Sequence, residues 1–82
     1  MEEKELKMIV AMEELGELIQ AISKHIRYGN REESLCEEIA DVELCLKWLI
    51  ENCNLDKDML NKWRTYKNER IKNYDLKEEN NE

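Results

Sequence analysis

The sequence predicts an all-α fold. Three observations carry that reading. The 82 residues include no proline and only two glycines, Gly16 and Gly29, so helix breakers are almost absent. The composition is rich in Glu, Lys, Leu and Ile. Apolar residues recur at three- and four-residue spacing, the period of an amphipathic helix. The expected architecture is an antiparallel helical hairpin plus a third helix. So short a chain buries a modest core alone, and the helices are expected to assemble into a four-helix-type bundle as an oligomer. One domain is expected over 1–75, with a polar, disordered tail over 76–82.

The first helix is expected from Glu3 to Arg27. Tyr28-Gly29-Asn30 ends it, with Gly29 suited to a C-cap and Asn30 to a turn or an N-cap. The second runs from Arg31 to Asn52, and the acids Glu32, Glu33, Glu37 and Glu38 suit its N-terminal turns. Asn52-Cys53-Asn54 is the next break. Asn54 is the expected N-cap of a third helix from Leu55 to Tyr74. Two tight connections imply antiparallel neighbours.

Charge and composition exclude several functions. There are 20 acidic and 13 basic residues, a formal net charge of −7. That balance argues against binding a nucleic-acid polymer, which depends on clustered cations. No apolar run approaches the roughly 18 residues of a membrane span. The acidic start, Met1-Glu2-Glu3-Lys4-Glu5, lacks the basic and apolar regions of a secretory leader. Three cysteines, Cys36, Cys45 and Cys53, have no CxxC spacing and are odd in number. A reducing, cytoplasmic location is expected.

Placed on a helical wheel, the first helix has an apolar arc of Leu6, Met8, Val10, Leu15, Leu18, Ile19, Ile22 and Ile26. Glu14 falls inside that arc and Glu17 at its edge. In the second helix the arc is Leu35, Ile39, Val42, Cys45, Leu46, Leu49 and Ile50, with Glu38 inside and Asp41 at the edge beside Trp48. Each helix thus turns an i, i+3 acid pair towards its own apolar side. A buried carboxylate must be protonated, paired or metal-bound. Antiparallel packing lets the two pairs face each other, and one or two divalent cations would remove the repulsion. Hard oxygen ligands of this kind suit Mg²⁺, with Mn²⁺ as a substitute. Acid pairs are also common on solvated helix faces, and the same four residues admit that plainer reading.

The third helix carries the opposite anomaly. Lys67 and Arg70 fall within an arc of Leu55, Met59, Leu60, Trp63, Tyr66, Ile71 and Tyr74. Either they lay their stems over apolar surface and lift the charge into water, or they face the acids or an anion bound there. Trp48, Trp63, Tyr28 and Tyr66 can stack on a base, although aromatics at helical spacing ordinarily serve packing. His25 reads as a partly buried structural residue.

The words Glu13-Glu14-Leu15-Gly16-Glu17-Leu18-Ile19 and Glu37-Glu38-Ile39-Ala40-Asp41-Val42 give ExxE, a spacer of about 20 residues, then ExxD. This pattern resembles the MazG-like branch of the all-α nucleoside triphosphate pyrophosphohydrolases, which includes the dimeric dUTPases. Residues 18–24 and the K-x-x-R element at Lys67 to Arg70 resemble its small phage-type members. The resemblance spans roughly residues 10 to 72. It implies Mg²⁺-dependent hydrolysis of non-canonical or deoxy nucleoside triphosphates to the monophosphate and pyrophosphate. It implies Glu14, Glu17, Glu38 and Asp41 as metal ligands and catalytic acids, with Glu14 or Glu17 taking a proton from water. Lys67 and Arg70 would bind the phosphates, across a subunit boundary or within the chain, with Lys24 as a further contact. It also implies a homodimer or homotetramer. Little sequence precedes the first motif, where family members often carry an extra helix that helps enclose the base. The alternative is a non-catalytic helical interaction or nucleotide-binding regulatory module that retains the fold.

Overall fold

The computed structural model describes the backbone of residues 1–80 and side chains as far as Tyr74. It contains three helices: α1 (Glu3–Tyr28), α2 (Glu32–Asn52) and α3 (Lys57–Asn80). No strand occurs among the described residues. Helix α3 runs beyond the expected end at Tyr74, because Leu76 to Asn80 contain no breaker and include the good helix formers Leu, Lys and Glu. Asn81 and Glu82, the end of the expected tail, lie outside the described residues.

The connections follow from backbone chemistry. Gly29 ends α1 with φ 67° and ψ 178°, a region almost reserved for glycine, and its N–H donates to the His25 carbonyl. Asn30 then takes φ 53°, which asparagine tolerates. At the second connection the N-cap differs from the expectation. Asn54 is a left-handed turn residue with φ 53°. The side chain that caps α3 is Asp56, whose Oδ1 accepts the Met59 N–H at 3.1 Å. The reason is phase: Asp56 immediately precedes the first helical residue, Lys57, whereas Asn54 lies two residues too early.

Helices α1 and α2 pack as an antiparallel hairpin. The Lys7 ammonium sits 5.3 Å from the Trp48 ring centre, and Glu14 lies against Asp41, so rising numbers on one helix meet falling numbers on the other. The packed seam is narrow and corrects the broad arc expected from the wheel. On α1 it consists of buried Ala11 and Ala21 with half-buried Glu14, Leu18 and His25. On α2 it consists of buried Val42 with half-buried Leu35, Glu38, Cys45 and Leu49. Met8, Val10, Leu15, Ile19, Ile22 and Ile26, expected in the core, are exposed. Two helices share only one stripe of contact, and small residues let these two approach closely.

The third helix stands away from the hairpin, since extensive packing is confined to α1 against α2. The molecule measures 51 × 36 × 17 Å. Its radius of gyration is 16.3 Å, against about 12 Å for a compact domain of this length. No helix among the described residues is long and apolar enough to cross a membrane.

Candidate functional site

The hairpin brings the four predicted acids together. Glu14 and Glu38 occupy the seam itself and are half-buried. One helical turn on, Asp41 is half-buried and Glu17 is exposed. Carboxylate oxygens of Glu14, Glu17 and Glu38 lie within 4.8 Å of one another, and so do those of Glu37, Glu38 and Asp41. Glu38 belongs to both groups. Glu37 is a member that the sequence reading passed over. It lies about 100° from Glu38 on the wheel, outside the apolar arc that directed attention to the other acids.

The electrostatics are strained. Glu14 holds its proton above the ordinary carboxylate value, first because burial removes water, then because Glu17, Asp41 and Glu13 are negative and close. Glu38 is raised by burial and then by Glu17, Asp41, Glu14 and Glu37. Burial, with Glu14 and Asp41 beside it, also raises the Cys45 thiol. Among the described residues no base forms an ion pair with these charges. The ion pair found among the described residues, Lys7 to Glu3 at 3.7 Å, is at the far end of α1. Glu14 Oε2 and Glu38 Oε2 are shielded from solvent and have no hydrogen-bond partner. Two orphaned, hard oxygen atoms from facing helices are a donor set that fits a small divalent cation.

The predicted basic residues lie elsewhere. Lys67 and Arg70 are exposed on α3, stacked one turn on from Trp63 and Tyr66 at 5.9 and 6.0 Å from the ring centres. The two rings meet edge to face at 5.7 Å. Neither base pairs with the four acids in this arrangement. Lys24 is exposed two turns beyond Glu17 on the same side of α1. Of the stacking candidates, Trp48 is half-buried beneath Lys7, while Tyr28 is exposed between Arg27 and Arg31, each 5.6 Å from its ring. His25 is half-buried with Nδ1 unpartnered, in the seam near the hairpin tip. All three cysteines are free thiols.

Compared with protein-family models, with curated proteins and with solved structures, the chain matches none. The chemistry of the site therefore rests on its own residues.

Proposed function

We propose that this chain is a MazG-like nucleoside triphosphate pyrophosphohydrolase that uses Mg²⁺ held by Glu14, Glu17, Glu38 and Asp41, with Mn²⁺ as a substitute. The observation that carries the reading is the pair of orphaned oxygens, Glu14 Oε2 and Glu38 Oε2, inside a cluster of like charges with no base paired to it among the described residues. A solvated acid face would leave those atoms in water. The ExxE and ExxD words supply the family to which such a cluster is proper.

When bound, Mg²⁺ would neutralise the triphosphate oxygens and the charge that develops on pyrophosphate, and would hold water near the α-phosphorus. The protein's own part is acid–base and electrostatic. Either Glu14 or Glu17 accepts the proton of the water that attacks the α-phosphorus, while the bond from that phosphorus to the bridging oxygen breaks and pyrophosphate leaves. Lys67 and Arg70 receive the phosphates. Register supports that role. Lys67 stands ten residues past the start of α3, and Val42 stands ten residues before the end of α2. Both are about 15 Å from the connection between the helices. Folding α3 back along a hairpin brings its two bases level with Glu38 and Asp41. Substrate is the polyanion that would draw them there.

The test is pyrophosphate release from a panel of canonical and modified nucleoside triphosphates, with Mg²⁺ or Mn²⁺. Release is expected for the wild-type chain and lost in Glu38→Gln, with helical circular dichroism unchanged. No release from any triphosphate, or full release from the variant, would overturn the assignment. A non-catalytic interaction or nucleotide-binding regulatory module is the second reading, and the large apolar surface of α1 favours the interaction form. Calorimetry with Mg²⁺ and a non-hydrolysable triphosphate identifies a pure interaction module, which takes up neither, whereas a nucleotide-binding regulatory module takes up the triphosphate but releases no pyrophosphate.

A further inference from the structure

A cleft of about 270 Å³ opens where α1 begins and α2 ends, lined by Glu3, Lys4, Lys7, Trp48 and Asn52. Ligand pockets ordinarily hold roughly 300–1,000 Å³, so this one suits a single ring system rather than a whole nucleotide. Trp48 is its apolar wall. The indole is half-buried, yet its neighbours in the cleft are charged or amide side chains, not the aliphatic groups that cover a core tryptophan. The Lys7 ammonium lies over the ring at 5.3 Å and pairs with Glu3 at 3.7 Å. An exposed ion pair of this kind holds the ammonium only weakly, so a flat ligand can take its place over the ring. Asn52 donates its Nδ2 to the Trp48 carbonyl at 2.9 Å, which leaves its Oδ1 to accept from a ligand. A flat apolar platform with ammonium donors and an amide acceptor at its rim matches a ring that is apolar on its faces and polar at its edges. A nucleobase is such a ring.

The position of the cleft along the hairpin agrees. Trp48 stands seven residues after Asp41, and Lys24 seven after Glu17. Seven residues are two turns and return a helix to nearly the same side. Because α1 and α2 are antiparallel, the indole and the Lys24 ammonium flank the acid centre in opposite directions, each about 10 Å away along its helix. Val10, 47% exposed, lies between Glu14 and Lys7 in register, on the side of Glu17. The order along this face is indole, apolar side chain, carboxylates, ammonium. An extended nucleoside triphosphate has the same order: base, sugar, metal-bound phosphate, terminal phosphate. Tyr28 offers a ring on the same side, but three turns past Glu17, about 16 Å away, and it already carries Arg27 and Arg31.

Resting on the hydrolase reading, we propose that Trp48 is the platform on which the substrate's base stacks, with Lys7 and Asn52 at the base edge. The substrate then lies along the acidic side of the hairpin, its base towards the open end and its terminal phosphate towards Lys24.

Calorimetry of the full chain with Mg²⁺ tests this, using two kinds of probe. One is the set of α,β-imido analogues of the four DNA nucleoside triphosphates. The other is inorganic tripolyphosphate, which has no base. The wild-type chain is expected to bind at least one nucleotide analogue more tightly than tripolyphosphate. Trp48→Ala is expected to weaken that analogue by about tenfold and to leave tripolyphosphate unchanged. If neither probe binds the wild-type chain, the hydrolase reading falls and the platform with it. If tripolyphosphate binds, the platform alone falls in three cases: no analogue is tighter, Trp48→Ala weakens both probes alike, or it weakens neither. Should Trp48→Ala fail to fold, fluorescence decides. In Trp63→Phe, Trp48 is the one remaining tryptophan. Its emission is expected to be quenched by the nucleotide analogue and not by tripolyphosphate, and emission unchanged at saturating analogue overturns the platform.

Discussion

Glu14 and Glu38 face each other across the hairpin seam with carboxylate oxygens within 4.8 Å, and each keeps one oxygen that is shielded from solvent and has no hydrogen-bond partner. Helix packing alone gives no reason for this. Ala11, Ala21 and Val42 close the same seam at negligible electrostatic cost. The two acids spend stability that an apolar pair would retain, and such a conflict between local chemistry and fold is characteristic of functional positions.

The conflict makes stability depend on pH. Unfolded, both carboxyls titrate near 4.5; folded, both hold their protons to higher pH. The folded chain therefore binds more protons than the unfolded chain in the window above 4.5. The contribution of this pair is fully present below that value and is lost as pH rises through the folded values. In the presence of a chelator, the melting temperature is expected to fall from pH 4.5 towards neutrality. Glu38→Gln should flatten that slope. A slope unchanged in the variant would assign the effect to other carboxyls.

Divalent cations should reverse the trend. At neutral pH, Mg²⁺ that binds only the folded chain raises its melting temperature by mass action. Glu14→Gln and Glu38→Gln are each expected to raise the melting temperature without metal, because repulsion is removed, and to lose most of the Mg²⁺ response. Metal affinity should drop by on the order of 10²-fold, at the upper end of what even supporting residues of metal sites cost. Melting curves with and without Mg²⁺ measure both effects.

The two glycines should respond in opposite directions to alanine. A Cβ at either meets nothing within 4 Å, so space is not the issue. Gly29 has φ 67° and ψ 178°, and Gly29→Ala should cost about 1–3 kcal/mol of backbone strain. Gly16 lies inside α1, and Gly16→Ala should stabilise by about 0.5–1 kcal/mol. Chemical denaturation of both variants gives the comparison.

Much of this was legible in the sequence. Missing prolines and the break at Gly29 place the hairpin, and helical phase alone puts Glu14 and Glu38 inside it and Glu17 and Asp41 at its rim. What the wheel cannot do is divide an apolar arc between partners. Leu18 turns to α2 while Leu15, three residues earlier, stays exposed, and both belong to one continuous arc. Periodicity measures how much surface must be covered, and the covering neighbour is a tertiary matter. The cap of α3 was hidden for a local reason. Asn54 and Asp56 are both good N-cap residues, and only the backbone turn at Asn54 decides between them.

Lys67 and Arg70 give the sharpest test of how α3 takes part. Here their charges rest on the faces of Trp63 and Tyr66, an arrangement sufficient to explain two bases on an apolar arc. If they also bind the phosphates, removing both should weaken substrate without touching the metal. Each charge-assisted hydrogen bond is worth about 1.5–3 kcal/mol, so each lost contact should raise KM by about tenfold or more. Lys67→Ala with Arg70→Ala is therefore expected to raise KM for a triphosphate while leaving Mg²⁺ binding at the acid cluster unchanged. Trp63→Leu with Tyr66→Leu removes the stacking partners but keeps both charges, so its effect on KM should be smaller. Equal losses in the two double variants would mean that the bases act only by holding α3 together, and the phosphate role would fall.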